Sequence, residues 1–183
     1  MGGAANGDTA INFIEYAKNS YKKMYLFEPN QLMFKEMKEN LKNISNNKIE
    51  YISSGLYDSK GKIGFDLNSF SSRIDNKATD FITTVKLDDV VAEATFIKLD
   101  IEGAELQALK GAQKLIKKCQ PILAICLYHK PSDLVEIPLL IHSINPNYKL
   151  YIRKYGNFGE LIKYDYGEIY IDFDTVCYAI PSK

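Results

Sequence analysis

Phe96–Ala112 reads FIKLDIEGAELQALKGA, an apolar strand that ends in two carboxylates, Asp100 and Glu102, and turns straight into a helix. In an open parallel sheet, ligands bind outside the carboxyl ends of the strands. These two side chains therefore stand at the rim where chemistry is done, and Gly103 allows the tight turn. The same acids have a purely structural use, since Glu102 and Glu105 favour the positive end of a helix that starts near Gly103. What weighs for the rim is that other parts of the chain lead to the same edge.

Outward from this segment the chain alternates strand and helix. Upstream, Ile11, Ile14, Ala17 and Tyr21 have helical spacing, with Asp8 or Thr9 as the cap. MYLFE (24–28) reads as a buried strand, and Pro29 and Asn30 open a helix whose apolar side holds Met33, Phe34, Met37, Leu41 and Ile44. IEYISSGL (49–56) has strand character, KIGFDL (62–67) reads as its hairpin return across Gly61, and TTVKLDDV leads into the strand before Asp100. Downstream, the helix runs through Lys118, and PILAICLYH (121–129) is a continuous apolar run typical of a strand buried on both faces. Pro131 begins a helix through Ile144, and YKLYIRKY and EIYIDFDTVCYAI close the chain as two strands. This order predicts one α/β domain over residues 1–183, its sheet mostly parallel with helices on both faces, and its last two strands antiparallel because no helix joins them.

The 183 residues carry 23 Lys and Arg against 23 Asp and Glu, and no basic block or aromatic and basic stripe, which argues against a nucleic-acid-binding surface. No apolar run approaches a membrane span, and MGGAANGDT lacks the regions of a signal peptide, so a cytoplasmic location is the default expectation. Cys119, Cys126 and Cys177 have no paired metal or redox spacing and read as reduced core residues.

GGAANGDT places Gly3 and Gly7 just before a helix, where backbone can approach a ligand and the helix start can hold partial negative charge. The spacing is not G-x-G-x-x-G, which disfavours a dinucleotide site. Glu28 ends the next strand about twenty residues later, where an acid takes hydrogen bonds from ribose hydroxyls in nucleotide-type folds; its alternative use is a simple cap before Pro29. Glycine loop, helix, strand and acid together make a nucleoside site.

The set GGAANGDT, YLFEPN, KLDD with FIKLDIEGAELQALKGA, ILAICLYHKPSDL, NYKLYIRKY and DTVCYAI resembles the FkbM-type methyltransferases, enzymes that use S-adenosylmethionine. The likeness spans nearly the whole chain, and DIEGAE with LYHKPSDL is its specific part. It implies a Rossmann-like class I methyltransferase sheet and O-methylation of a hydroxyl on a sugar, polyketide or similar small acceptor. By this resemblance Gly3, Ala4, Asn6, Gly7 and Asp8 cradle the methionine end of the cofactor, Glu28 binds the ribose, and Ser54, Gly55 and Leu56 flank the adenine. Asp100, Glu102 and His129 face the methyl group and the acceptor. The departure is at the start: the class places a strand before the glycine loop, and only Met1 precedes it here. An N-terminally truncated domain is expected, with a slot between MYLFE and TFIKLD that is open or only partly closed.

Methyl transfer asks for positioning and a base. His129 suits a base at the sheet edge, and is also an ordinary hydrogen-bonding residue for a strand end. Asp100 and Glu102 suit orienting the acceptor, binding the cofactor ammonium, or sharing a hard divalent ion such as magnesium, and nothing in the spacing requires a metal. His142, in an apolar helical pattern, reads as structural. Tyr148, Tyr151, Tyr155, Tyr164, Tyr166 and Tyr170 pack along the last strands, and loops 59–80 and 156–168 are expected to shape the acceptor pocket. Two other classes fit parts of this pattern: a non-catalytic nucleoside-binding domain, and a nicotinamide-dependent oxidoreductase, which shares the glycine loop and Glu28 but wants tighter glycine spacing.

Overall fold

Strand and helix alternate in the computed structural model of the protein much as the apolar periodicity predicts, around a mixed sheet. The structure describes residues 1–18, 20–44, 47–66, 73–74, 79–155, 160–164, 167–171 and 174–182, with backbone alone for 73–74, 160–164 and 167–171.

Gly7, at φ +89°, precedes α1 (Asp8–Tyr16), and no side chain caps this helix, so Asp8 and Thr9 do not serve as the expected caps. After β1 (Met24–Phe27), Asn30 caps α2 (Gln31–Leu41) by accepting from the Leu32 and Met33 amides at 2.9 and 3.3 Å. Next come β2 (Ile49–Ile52), β3 (Gly55–Leu56), β4 (Gly61–Asp66), β5 (Arg73–Ile74) and β6 (Phe81–Val85). The expected hairpin across Gly61 does not form. Instead β6 lies between β3, parallel to it, and β4, antiparallel to it, with Gly55 and Gly61 both registered on Thr84. Long-range pairing with the Thr-rich β6 wins over the local return.

The chain continues through α3 (Leu87–Val90), β7 (Phe96–Leu99), α4 (Glu105–Lys110) and α5 (Gln113–Cys119). The single helix expected through Lys118 is thus two, because Gly111 is pressed against the carbonyl of Tyr57; a Cβ there would lie 2.1 Å from that oxygen. Asp88 then caps α5 from a distance, accepting from the Lys114 and Leu115 amides at 3.1 and 2.8 Å. Then follow β8 (Ile122–Cys126), α6 (Asp133–Ile144), β9 (Tyr148–Lys154), β10 (Glu160–Tyr164), β11 (Gly167–Ile171) and β12 (Thr175–Pro181). EIYIDFDTVCYAI is therefore two strands rather than one, and β11 pairs with β10 as a separate hairpin. As expected, β12 runs antiparallel, to both β8 and β9.

The slot between β1 and β7 is partly closed, by Met1–Ala4. Gly2 bridges Phe27 on one side and Leu99 on the other, both parallel, with Gly2 N donating to Lys98 O at 2.9 Å and Phe27 N to Met1 O at 3.0 Å. The central order is β2, β1, Gly2, β7, β8, β12, β9. Toward the amino ends of β1 and β7, α1 packs over the slot, its Phe13 ring stacked on Phe96 with centroids 6.2 Å apart.

Two apolar clusters result. The larger joins Leu99, Leu109, Ile116, Leu123, Ile125 and Ile141 between the sheet and α4–α6, and the smaller joins Ala10, Ile14, Leu26, Met37 and Leu41 around β1. Each of the Leu, Ile and Met side chains among them contributes roughly 1.5–3 kcal/mol on burial. Cys126 and Cys177 are buried and Cys119 partly so, all unpaired by disulfides. His142 is exposed rather than packed, since it falls on the outer face of α6. No helix among the described residues is long and apolar enough to cross a membrane.

Candidate active site

The carboxyl ends of β1, Met1–Ala4 and β7 bring the glycine loop, Glu28 and Asp100 to one edge. Gly3 adopts φ +69°, and a Cβ on it would fall 1.8 Å from the Asp100 carbonyl oxygen, so the loop lies directly on the strand end that carries the catalytic candidates. Ala5 is also left-handed, at φ +44°, and Gly7 is held against Leu41 and Met37 of α2. Ala4 is buried, Asn6 Oδ1 accepts from the Asp8 amide at 3.3 Å, and the Asp8 side chain is at the surface.

Glu28 is 7% exposed, and both of its oxygens already serve the backbone: Oε2 accepts from Ala5 N at 2.9 Å and Oε1 from Asn30 N at 2.8 Å. The cap before Pro29 and the ligand acid are thus one residue, which ties the glycine loop to the start of α2 and keeps a second lone pair on each oxygen. Burial pushes its carboxyl above the ordinary range, against the two amides that favour the ionised form.

Beside Glu28 opens a cleft of about 450 Å³, lined by Asn30, Gln31, Leu32 and Ser53 on one side and by Phe81 and Thr83 on the other. Ser54 reaches this region, its hydroxyl 3.0 Å from that of Thr83. Gly55 and Leu56 are paired to β6, and the Leu56 side chain is buried against the Gly2 backbone rather than turned to the cleft.

At the other side of the glycine loop, β7 and β8 are parallel neighbours, so Asp100 and His129 converge as expected. Asp100 Oδ1 accepts from the Tyr128 hydroxyl at 2.7 Å, and Oδ2 receives Lys98 Nζ at 3.1 Å. His129 Nε2 faces Asp100 Oδ1 at 3.7 Å and Glu102 Oε2 at 3.4 Å, while Nδ1 stands 2.9 Å from Glu105 Oε1. Glu102 holds a left-handed φ of +55° ahead of Gly103 at +90°, so the turn is strained at the residue that points its carboxylate to the imidazole.

The residue that sequence reasoning missed is Glu105. Its place at the start of a helix made dipole compensation a sufficient account, yet it is fully buried, with Oε1 accepting from Ile101 N at 2.7 Å and reaching His129. Its neighbour Asp133, 1% exposed, also went unnoticed. The Lys130 ammonium donates to the Gly103 carbonyl and closes the turn from the β8 side.

The charges set one another. Burial pushes Asp100 up, but Lys98 and the Tyr128 hydroxyl more than reverse this and hold its carboxyl below the ordinary value. Glu102 is raised by burial and by Asp100 and Glu105, which outweigh His129. Burial disfavours the imidazolium of His129, yet the three surrounding carboxylates raise it above its usual value. Burial and Glu105 raise Asp133, and burial pushes the Cys126 thiol far up, which disfavours its thiolate. Tyr166 and, within the expected pocket loops 59–80 and 156–168, residues 67–72, 75–78, 156–159 and 165–166 lie outside the described residues, as do the side chains of Tyr164 and Tyr170.

Comparison with the curated proteins finds no match. Among solved structures, methyltransferase FkbM from Methylobacillus flagellatus KT is similar at 27% identity and TM-score 0.77, covering 97% of this chain and 41% of that one. The chain thus spans less than half the length of that relative. An rRNA methylase from Streptococcus thermophilus (13% identity, TM-score 0.54, 98% and 83% covered) and a Streptococcus mutans protein in complex with SAH (12%, 0.50, 96% and 83%) share the fold. A family model, Methyltransferase FkbM domain, matches residues 2–162. The chain belongs to the FkbM methyltransferase domain family.

Proposed function

We propose that this domain binds S-adenosylmethionine and catalyses methyl transfer to a hydroxyl of a small acceptor, such as a sugar or a polyketide-like natural product. The observation that carries the reading is the junction at Gly3: one glycine, with no room for a Cβ, joins the Glu28 side of the edge to the Asp100 and His129 side. A cofactor with adenine at one end, an amino-acid group at the other and a ribose next to the reactive methyl between them fits such an edge. The donors suit it: backbone of Gly3–Asp8 for the methionine end, spare lone pairs of Glu28 for ribose hydroxyls, and the cleft by Ser53 and Ser54 for the adenine. When bound, the cofactor supplies a methyl group on a positively charged sulfur.

The chain's own residues then have simple tasks. Asp100, kept ionised by Lys98 and Tyr128, orients a donor on the acceptor. His129 Nε2, which makes no hydrogen bond among the described residues, takes the hydroxyl proton, and the Glu105 carboxylate 2.9 Å from Nδ1 stabilises the charge that the ring gains. SAH bound to the Streptococcus mutans protein of the same fold supports the cofactor class. Calorimetry tests the reading: S-adenosylmethionine and SAH should bind and NAD should not, and labelled methyl should pass to a hydroxylated acceptor in a sugar panel. Binding of NAD in preference to both adenosyl ligands would overturn it.

A further inference from the structure

We propose that Asp100, Glu105 and His129, with Glu102 at the rim, form a binding site for a divalent first-row cation such as manganese or zinc. Ligand atoms of Asp100, Glu105 and His129 all lie within 4.8 Å of one another, and Glu102 Oε2 adds a further donor 3.4 Å from His129 Nε2. An acidic cluster alone would mean little. The independent observation is the imidazole: its side chain is 9% exposed, and neither ring nitrogen makes a hydrogen bond among the described residues, while Nε2 lies near two carboxylates.

The spacing separates a cation from a simple ion pair. An imidazolium draws a carboxylate oxygen to about 2.7–2.9 Å. Here Nε2 stands 3.4 and 3.7 Å from Glu102 and Asp100, longer than such a charge-assisted bond, and makes no hydrogen bond among the described residues. Two donors that share a cation at bonds of about 2.1 Å lie about 3.0 Å apart in octahedral and about 3.4 Å apart in tetrahedral geometry, near what is seen. Charge points the same way: besides His129, the carboxylates of Asp100, Glu102, Glu105 and Asp133 have the ammonium groups of Lys98 and Lys130 near them, and among the described residues Oε2 of Glu105 is buried without a partner. A mixed imidazole and carboxylate set suits manganese, iron or zinc better than calcium.

The inference rests on the acceptor edge of the proposed function and not on its cofactor side. Cation and proton are alternatives at Nε2. The test uses the chain without cofactor or acceptor, titrated with Mn²⁺ and followed by the loss of the free-ion electron paramagnetic resonance signal. One saturable site per chain is expected, weakened at least about tenfold by Glu102→Gln, a half-exposed position that leaves the fold intact, and removed by His129→Gln. Absence of saturable binding at millimolar Mn²⁺, or equal binding by the parent and both folded variants, overturns the proposal. Mn²⁺ binding without any affinity for S-adenosylmethionine would uphold the cation site and sink the methyl-transfer reading.

Discussion

Gly3→Ala puts the junction between the two halves of the site to a direct trial. The new Cβ would begin 1.8 Å from the Asp100 carbonyl oxygen, a backbone atom that cannot swing aside. Relief to an ordinary contact asks for a displacement of more than 1 Å, enough to break the bonds by which Gly2 holds β7: Gly2 N to Lys98 O at 2.9 Å and Asp100 N to Gly2 O at 3.3 Å. Two backbone bonds at about 0.5–1.5 kcal/mol each, plus about 1–2 kcal/mol for alanine at a left-handed φ, give a loss of roughly 2–5 kcal/mol. In a chain of 183 residues this lowers the unfolding midpoint by roughly 5–15 °C. The internal control is Gly61→Ala, where φ is not positive and the nearest atom to the added Cβ is Thr84 Oγ1 at 4.0 Å. Calorimetric scans of parent and both variants, with and without S-adenosylmethionine, are the assay. If Gly3→Ala melts within about 1 °C of Gly61→Ala and keeps parental affinity, the close approach at Asp100 is not what organises the site.

The other expectations concern single groups. Glu28→Ala should weaken S-adenosylmethionine by roughly ten- to a hundredfold, the loss of about 1.5–3 kcal/mol of charge-assisted bonding, and calorimetry finding equal affinity would refute the ribose assignment. Asp100→Asn and His129→Gln should depress turnover on a responsive acceptor much more than cofactor binding; parallel losses in both would place them on the cofactor side. For pH, His129 is raised above its ordinary value of 6.5 in the folded chain, so its stabilisation is fully present below about 6.5 and fades as pH rises through the higher folded value. Melting curves of parent and His129→Gln, free of added metal and taken from about pH 5.5 to 8.5, should therefore converge at the alkaline end; a constant gap contradicts the ion-pair account.

What could be read beforehand was local. A strand, an acid pair and a glycine turn are contiguous in FIKLDIEGAE, and the alternation around them placed β7 beside β8, so Asp100 and His129 were brought together on paper as they are in space. The slot between β1 and β7 was legible for the same reason. Glu105 was not, because its reach to a histidine 24 residues later depends on how α4 seats against β8. The placing of β6 between β3 and β4 was equally hidden, since three short strands with weak alternation leave the pairing to long-range registry. Asp88 shows the limit well: nothing near it in sequence says that it caps α5 across 26 and 27 residues.

Gly2 has a consequence for cooperativity. One face of β1 packs into its own apolar cluster with α1 and α2, while the other joins the larger cluster beneath β7 and β8 only through Phe27 and its neighbours Tyr25 and Ile52, and the sheet passes from β1 to β7 through a single residue bonded on both sides. Such a seam is where a domain opens before it unfolds. Amides of β1 and β2 should therefore exchange with solvent as one unit, faster than those of β8 and β12, and a ligand that bridges Glu28 and Asp100 should slow them toward the rate of the rest.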